Sequence, residues 1–193
     1  MTNTTYKTYT NKGIIPPHGG YRTLKSYQMA EIVYDLTKIF CDSYMSYPSN
    51  KSYRTYDQMF QAARSGKQNI AEGSQVSGTS KKSELKLVGV ARASQEELLQ
   101  DFLDFLRQRN LSLWNKDDLK VQEIRALSYR PNKSYKTYLS NMSSPESAAN
   151  CMVCLIHQTN YLLDQQIRRL EQDFLEKGGF TERLYRERRN YRG

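Results

Sequence analysis

The chain has 193 residues, of which 38% are hydrophobic, and 29 lysines and arginines against 20 acidic residues give a net charge of +9. This length suits one domain with a sizeable core. The longest unbroken apolar run, Cys151 to Ile156, is far shorter than the roughly 20 residues of a membrane-spanning helix, and the polar N-terminus predicts no signal peptide.

The first part of the chain predicts an N-terminal arm followed by two helices. Residues 1–20, rich in Thr, Asn, Tyr, Pro and Gly, are typical of an irregular arm. Apolar residues at three- and four-residue spacing predict a first helix from about Leu24 to Tyr44 and a second from about Ser52 to Glu72 or slightly beyond. We expect Gly73 to Gly78 to end the second helix and form a turn.

The rest of the chain predicts two further long helices separated by an insertion. The third helix runs from about Ser80 to Asn110, and the insertion at residues 111–143 contains one short helix that ends near Leu127. Ser144 is a good N-cap and Pro145 suits the first helical position, so a fourth long helix begins there. A glycine pair ends it.

Four long helices with one apolar side each bury those sides best against one another. No strand-like alternation appears between them. The sequence therefore predicts an all-α protein. It comprises an up-down-up-down four-helix bundle over residues 21–177, the insertion at 111–143 before the fourth helix, and a short basic C-terminal helix over 178–193.

The positive charge is concentrated in one stretch of the chain. Between Lys51 and Arg92, eight basic residues stand against three acidic ones, so more than half of the net charge falls in less than a quarter of the chain. A concentrated excess favours an interaction face, with nucleic acid as the first partner to consider. Lys82 and Lys86 lie one helical turn apart, where like charges repel unless a polyanion neutralises them. A solvated surface is the alternative interpretation.

The segment from Gly73 to Ser80 nearly matches a phosphate-binding loop. Thr79 stands where that motif needs a lysine, and the segment follows a predicted helix rather than a strand. We therefore interpret it as a turn between helices. Backbone N–H groups at the start of the third helix would still suit a nucleic-acid phosphate.

Three cysteines cannot form a disulfide framework by themselves and favour a reducing, cytoplasmic location. Cys151, Cys154 and His157 recur every three residues, and Cys41 is the one further cysteine that would complete a metal site. Core packing is the simpler interpretation of these residues. The sequence predicts no metal and no cofactor.

An enzyme is the weakest functional class for this chain. It has only two histidines and no nucleophile–base pair. The carboxylates Glu96 and Glu97, and likewise Asp101 and Asp104, are best interpreted as hydrated helix surface. No catalytic residue is predicted. Fifteen tyrosines, partly interleaved with Lys and Arg, suit either base stacking or, as we prefer, protein interfaces.

Three segments together resemble a known family. They are Asn69-Ile-Ala-Glu-Gly73, Ser80-Lys-Lys-Ser-Glu-Leu-Lys86 and Gly89-Val-Ala-Arg-Ala-Ser-Gln-Glu-Glu-Leu98. The chain over about Tyr21–Asn110 is similar to the four-helix-bundle proteins encoded in intervening sequences of bacterial large-subunit ribosomal RNA. It is similar also to the accessory variability determinant proteins of diversity-generating retroelements. The end of the chain, from Asn160 onward, resembles the suffix extension of one subgroup.

The resemblance implies a bacterial, non-enzymatic bundle that tends to form rings, which are pentameric in the retroelement accessory proteins. It also implies that a basic surface binds nucleic acid and a reverse transcriptase. The insertion and the C-terminal extension depart from the plain family pattern, and each would cover or remodel a ring interface.

Two functional hypotheses follow. In the first, a self-associating bundle binds RNA or DNA without sequence preference. Its predicted phosphate contacts are Arg54, Arg64, Lys67, Lys81, Lys82, Lys86 and Arg92. In the second, the protein is a scaffold or adaptor whose apolar and tyrosine-rich surfaces bind an acidic or reverse-transcriptase-like partner.

Overall fold

A computed structural model describes residues 14–45 and 53–192 of the chain. Most of the predicted N-terminal arm, the predicted start of the second helix at Ser52, and the terminal residue lie outside the described residues. The helices are α1 (Lys25–Tyr44), α2 (Tyr53–Val76), α3 (Lys81–Gln108), α4 (Leu119–Leu127), α5 (Pro145–Lys177) and α6 (Phe180–Arg192), with 3-10 turns at Tyr21–Thr23 and Tyr135–Met142.

The predicted all-helical class is confirmed, since the described part of the chain contains no β-strand. Within these same ranges, no helix combines the length and the apolar character needed to cross a membrane. The start of α5 follows its predicted capping chemistry. The Ser144 hydroxyl accepts a hydrogen bond from the Ser147 N–H, and Pro145 occupies the first turn. At the other end, Gly178 adopts φ +71°, a conformation that glycine reaches without strain.

The predicted break at Gly73 is wrong, because α2 continues to Val76 and the turn occupies residues 77–80. Gly73 is buried against α3. A Cβ atom there would lie 3.3 Å from the Glu84 carbonyl oxygen and 3.4 Å from Leu87 Cβ. The glycine therefore permits a close approach of two helices rather than a turn.

Helices α1, α2, α3 and α5 pack in a closed cycle. Both α1 and α3 contact α2 on one side and α5 on the other. Contacts between α2 and α3 run from Ser65 beside Ser94 to Gly73 beside Leu87, so the two helices are antiparallel. The order of neighbours places α1 and α3 at opposite corners of the cycle.

Helix α5 is buried on all sides between Ala148 and Ile156. Its inner side contacts α1 and α3, while α4 and the 3-10 turn at Tyr135–Met142 cover its outer side. This double cover explains the apolar run in the sequence. The insertion therefore covers the outer side of α5 and adds to the core.

Asn150 fixes the start of that insertion on α5. Its side-chain oxygen accepts from the Trp114 N–H at 2.8 Å, and its amide nitrogen donates to the Ser112 carbonyl oxygen at 2.8 Å and the Glu146 carbonyl oxygen at 2.9 Å. These bonds satisfy a polar side chain that is 3% exposed. The insertion is therefore held by hydrogen bonds as well as by apolar contacts.

The described part of the arm packs on the turn between α2 and α3. The Gly19 N–H donates to the Ser74 carbonyl oxygen at 3.0 Å, and a Cβ atom at Gly78 would lie 2.9 Å from His18 Nδ1. Arg183 of α6 donates to the Ile14 carbonyl oxygen at 2.7 Å. The arm, the turn and α6 therefore meet at one end of the molecule.

A pair of glycines tests the close packing of α2 and α3. Gly66 is buried in α2, and a Cβ atom there would overlap the side-chain amide of the fully buried Gln95. We expect Gly66→Ala to lower the free energy of unfolding by about 1–2 kcal/mol, because the core must shift to admit the methyl group. Urea-induced unfolding followed by circular dichroism measures the change.

Gly89 on α3 is the matched control. A Cβ atom there meets no heavy atom within 4 Å. We expect Gly89→Ala to raise the free energy of unfolding by about 0.5–1 kcal/mol, since alanine is the better helix former. Equal stabilisation by both variants would contradict the close contact at Gly66.

Candidate nucleic-acid interface

The seven predicted phosphate-binding residues lie on α2 and α3 but do not share one face. Lys67 turns toward α1, where its Nζ atom lies 4.2 Å from the centroid of the Tyr34 ring. Arg92 turns toward α5 and forms an ion pair with Asp164 at 3.1 Å, besides a pair with Glu96 at 2.9 Å on its own helix. These two cations therefore turn toward two different neighbouring helices.

A third member of the set, Lys81, also has a partner, since its Nζ atom lies 2.8 Å from Glu84 Oε2. The other four are exposed and form no ion pair within the described ranges: Arg54, Arg64, Lys82 and Lys86. Lys82 and Lys86 lie one turn apart near the start of α3. Arg54 lies near the start of α2, about 33 Å along the helix from its C-terminal end. The unpaired cations are spread along the α2–α3 pair.

The charges of α3 are segregated along its length. Residues 81–92 carry four basic residues and one acidic residue, whereas residues 93–108 carry four acidic residues and one basic residue. The basic half begins at the end of the molecule where the arm and α6 meet the turn. A polyanion is therefore attracted to this end of α3 and repelled by the other.

A second basic region is a groove between α1, the end of α4 and α5. We call it the α5 groove, and its volume is about 670 Å³. Lys25 from α1, Arg125 from α4, Lys133 from the segment after α4, and His157 from α5 line it. None of the described residues that line it is acidic. The groove therefore gathers positive charge from three separate parts of the chain.

The same groove has aromatic and apolar walls. Tyr129 and Tyr161 line it and are 88% and 63% exposed. Met29 and Leu162 supply apolar surface. Gln158 also lines the groove, and its buried Oε1 atom has no hydrogen-bond partner. The combination of cations and exposed rings suits a ligand that is both planar and anionic.

The α5 groove was not predictable from the sequence. Lys25 and Lys133 are more than one hundred residues apart, and no periodicity within one helix relates them. One signal was present: residues 111–143 carry six basic and three acidic residues, interleaved with tyrosines. That signal indicated a basic segment but not the surface on which it would lie.

All three cysteines are buried, and Cys154 also lines the α5 groove. Burial raises the pKa of the Cys41 and Cys151 thiols to about 12 and also raises the pKa of Cys154. Cys151 and Cys154 are buried, whereas His157 is exposed, so the three residues of this predicted spacing do not lie in one environment. Across the described ranges, no group of three or more His, Cys, Asp or Glu side chains is placed to hold a metal ion.

Asp101 differs from the hydrated carboxylate that was predicted. Its Oδ2 atom is buried without a hydrogen-bond partner. Burial, and then the neighbouring charges of Glu97 and Asp104, raise its pKa to about 6. Asp101 is not among the residues that line the α5 groove. Its perturbed pKa is therefore a property of the packing of α3 and not of that groove.

Comparison with known proteins gives no relative for this chain. No family model, curated protein or solved structure matches it. The two basic regions are therefore defined by the chain's own residues. One consists of unpaired cations on α2 and α3, and the other is the α5 groove.

The raised pKa of Asp101 predicts a pH-dependent stability. The folded-state value of about 6 exceeds the ordinary value of 3.8, so stability falls as the pH rises through this window and the buried carboxyl ionises. We expect Asp101→Asn to raise the melting temperature near neutral pH and to change it little near pH 4. Calorimetry at both pH values measures this difference.

Asp57→Asn is the control, because Asp57 is exposed on α2 and is not among the charges that raise the pKa of Asp101. This variant should not raise the melting temperature near neutral pH. If Asp101→Asn raises the melting temperature equally at both pH values, ionisation of Asp101 is not the cause of the stabilisation.

Proposed function

We propose that this protein is a non-enzymatic, up-down-up-down four-helix bundle that binds RNA or DNA through a basic surface and associates with copies of itself in the cytoplasm. One observation carries the proposal: four cations on α2 and α3 are exposed without a carboxylate partner within the described residues. They are Arg54, Arg64, Lys82 and Lys86. The family resemblance of residues 69–98 supports the same function.

Phosphate contacts account best for this arrangement. Exposed lysines and arginines bind a polyanion by displacing its condensed counterions, and such contacts carry no base information. Lys67, Lys81 and Arg92 already have partners. Each would have to give up its partner, so we assign them a smaller share of the affinity than the four unpaired cations.

The proposal of a non-enzymatic role is supported by the chemistry of the α5 groove. Cys154 lines the groove, but burial raises the pKa of its thiol and keeps it protonated. A protonated thiol is a poor nucleophile. None of the described lining residues is a carboxylate that would act as a general base beside His157.

A protein–protein scaffold or adaptor is the second candidate function, and one observation favours it. The end of α5 and the start of α6 expose three apolar side chains around a shallow cleft, namely Phe174, Leu175 and Tyr185. Leu184 is also exposed on α6. Exposed apolar patches of this kind mark interaction surfaces. The five arginines of α6 against two glutamates suit an acidic or reverse-transcriptase-like partner, and a second copy of the chain is the simplest occupant.

Nucleic-acid binding is tested with a labelled RNA hairpin and a labelled DNA duplex, followed by fluorescence anisotropy over a salt series. We expect affinity to fall with salt, with a slope of about 0.7–0.9 for each phosphate neutralised. The double variant Lys82→Gln/Lys86→Gln should lower that slope by up to about 1.4–1.8 and weaken RNA and DNA binding alike.

Lys116→Gln/Lys136→Gln is the control for charge, because both lysines are exposed on the insertion. It should leave the slope unchanged. Unchanged affinity in Lys82→Gln/Lys86→Gln would remove this part of α3 from the interface. No binding by the native protein at low salt would overturn the proposal and leave the scaffold as the better candidate.

Self-association is tested by sedimentation velocity on a variant of the α5–α6 patch. We expect Leu175→Ser/Tyr185→Ser to shift the protein to a smaller species, because both side chains are largely exposed and lose apolar area at an interface. Leu113→Ser/Leu119→Ser, which removes exposed leucines elsewhere, should not change the species. A native protein that sediments as a monomer would contradict self-association.

A further inference from the structure

We propose that the α5 groove binds one unpaired nucleotide of a single-stranded nucleic acid, with the base against its tyrosines and the phosphate against its cations. This inference rests on the proposed function and deepens it, since it names the class of nucleic acid and a second contact region. The chemistry required is a planar base joined to a phosphate. A free nucleotide shares that chemistry, and the experiment below separates the two sources.

The charge of the groove requires an anion. Lys25 and Lys133 form no ion pair within the described residues, and Arg125 donates to the Lys116 carbonyl oxygen at 3.3 Å, which leaves its charge uncompensated. Three like charges around one groove repel one another. A phosphate placed among them would replace this repulsion with attraction and would find several N–H donors.

The exposed rings indicate that the ligand also has a flat face. Tyr129 and Tyr161 line the groove, and neither ring stacks on another aromatic ring in the described part of the chain. Aromatic side chains on a basic surface are the usual platforms for unpaired bases, and every base offers a face for stacking. Inorganic phosphate would use the cations but not the rings.

Gln158 adds an amide side chain to the lining of the groove. Its Oε1 atom is buried and has no hydrogen-bond partner, so a rotation of the side chain is needed to bring it to the edge of a base. A duplex offers no such edge, because its bases are paired and stacked inside the helix.

The size of the groove agrees with one nucleotide. Its volume of about 670 Å³ lies within the range of about 300–1,000 Å³ that small-molecule sites occupy. This volume accommodates a nucleotide, either free or as a unit of a longer chain.

The experiment compares a labelled single-stranded RNA of about ten nucleotides with a DNA duplex by anisotropy, using the full chain. We expect Tyr129→Ala and Tyr161→Ala each to weaken single-strand binding by about tenfold, in keeping with the loss of one stacked base. Duplex binding should not change. Tyr129→Phe and Tyr161→Phe should restore the affinity, because the ring is retained. Tyr191→Ala, on α6 and outside the α5–α6 patch, is the control for loss of an exposed tyrosine, since Tyr191 is 93% exposed.

The outcomes separate this inference from the proposed function. Suppose that the native protein binds both nucleic acids, and that the two alanine variants bind the single strand with native affinity. The proposal for the groove is then overturned, and the proposed function stands. If Lys82→Gln/Lys86→Gln weakens duplex binding while the tyrosine-to-alanine variants weaken only single-strand binding, the proposed function and the proposal for the groove are both supported. If AMP protects the protein from thermal unfolding but the oligonucleotide does not bind, the single-strand proposal is overturned in favour of a free nucleotide. Equal protection by inorganic phosphate and by AMP would overturn the role of the rings.

Discussion

The enclosure of α5 is the constraint on which the rest of the molecule depends. From Ala148 to Ile156 the helix is buried on every side, so three elements have to surround it: α1 and α3 inside, and the insertion outside. The insertion covers only part of α5. Where that cover ends, the helix surface emerges at His157 and the α5 groove opens between α1 and the end of α4. The core and the groove are therefore two consequences of the same packing.

Local chemistry made most of the helices predictable. Apolar spacing gave α1, α3 and the long body of α2, and the Ser144-Pro145 pair located the start of α5 because capping depends only on neighbouring residues. Gly73 was misassigned for the opposite reason. A glycine is common both at the end of a helix and where a second helix packs closely, so the residue type alone does not distinguish the two. A Cβ atom at Gly73 would lie 3.3 Å from the Glu84 carbonyl oxygen, and this tertiary contact is not encoded in the neighbouring residues.

The basic surface was predictable in composition but not in arrangement. The excess of charge over residues 51–92 is evident in the sequence, yet Arg92 stands about 240° around the helix from Lys86 and so faces another neighbour. That neighbour turned out to be Asp164 of α5, seventy residues away. Pairing of this kind depends on which helices are adjacent, and apolar periodicity alone does not give their order. The α5 groove lay beyond sequence analysis for the same reason, since three separate segments supply its cations.

The two basic regions would divide the work of binding between paired and unpaired nucleic acid. Within the described residues, Lys82 and Lys86 on α3 lie over no aromatic ring, which suits the regular phosphates of a duplex. The α5 groove, formed by α1 and α5 on the other side of the packed cycle, offers exposed rings as well as cations, which suits an unstacked base. A rigid duplex would reach one side at a time, whereas a strand that leaves a duplex would bend around the molecule and contact both. Under the proposed function, a folded RNA with a loop next to a stem would supply the ligand that each region suits.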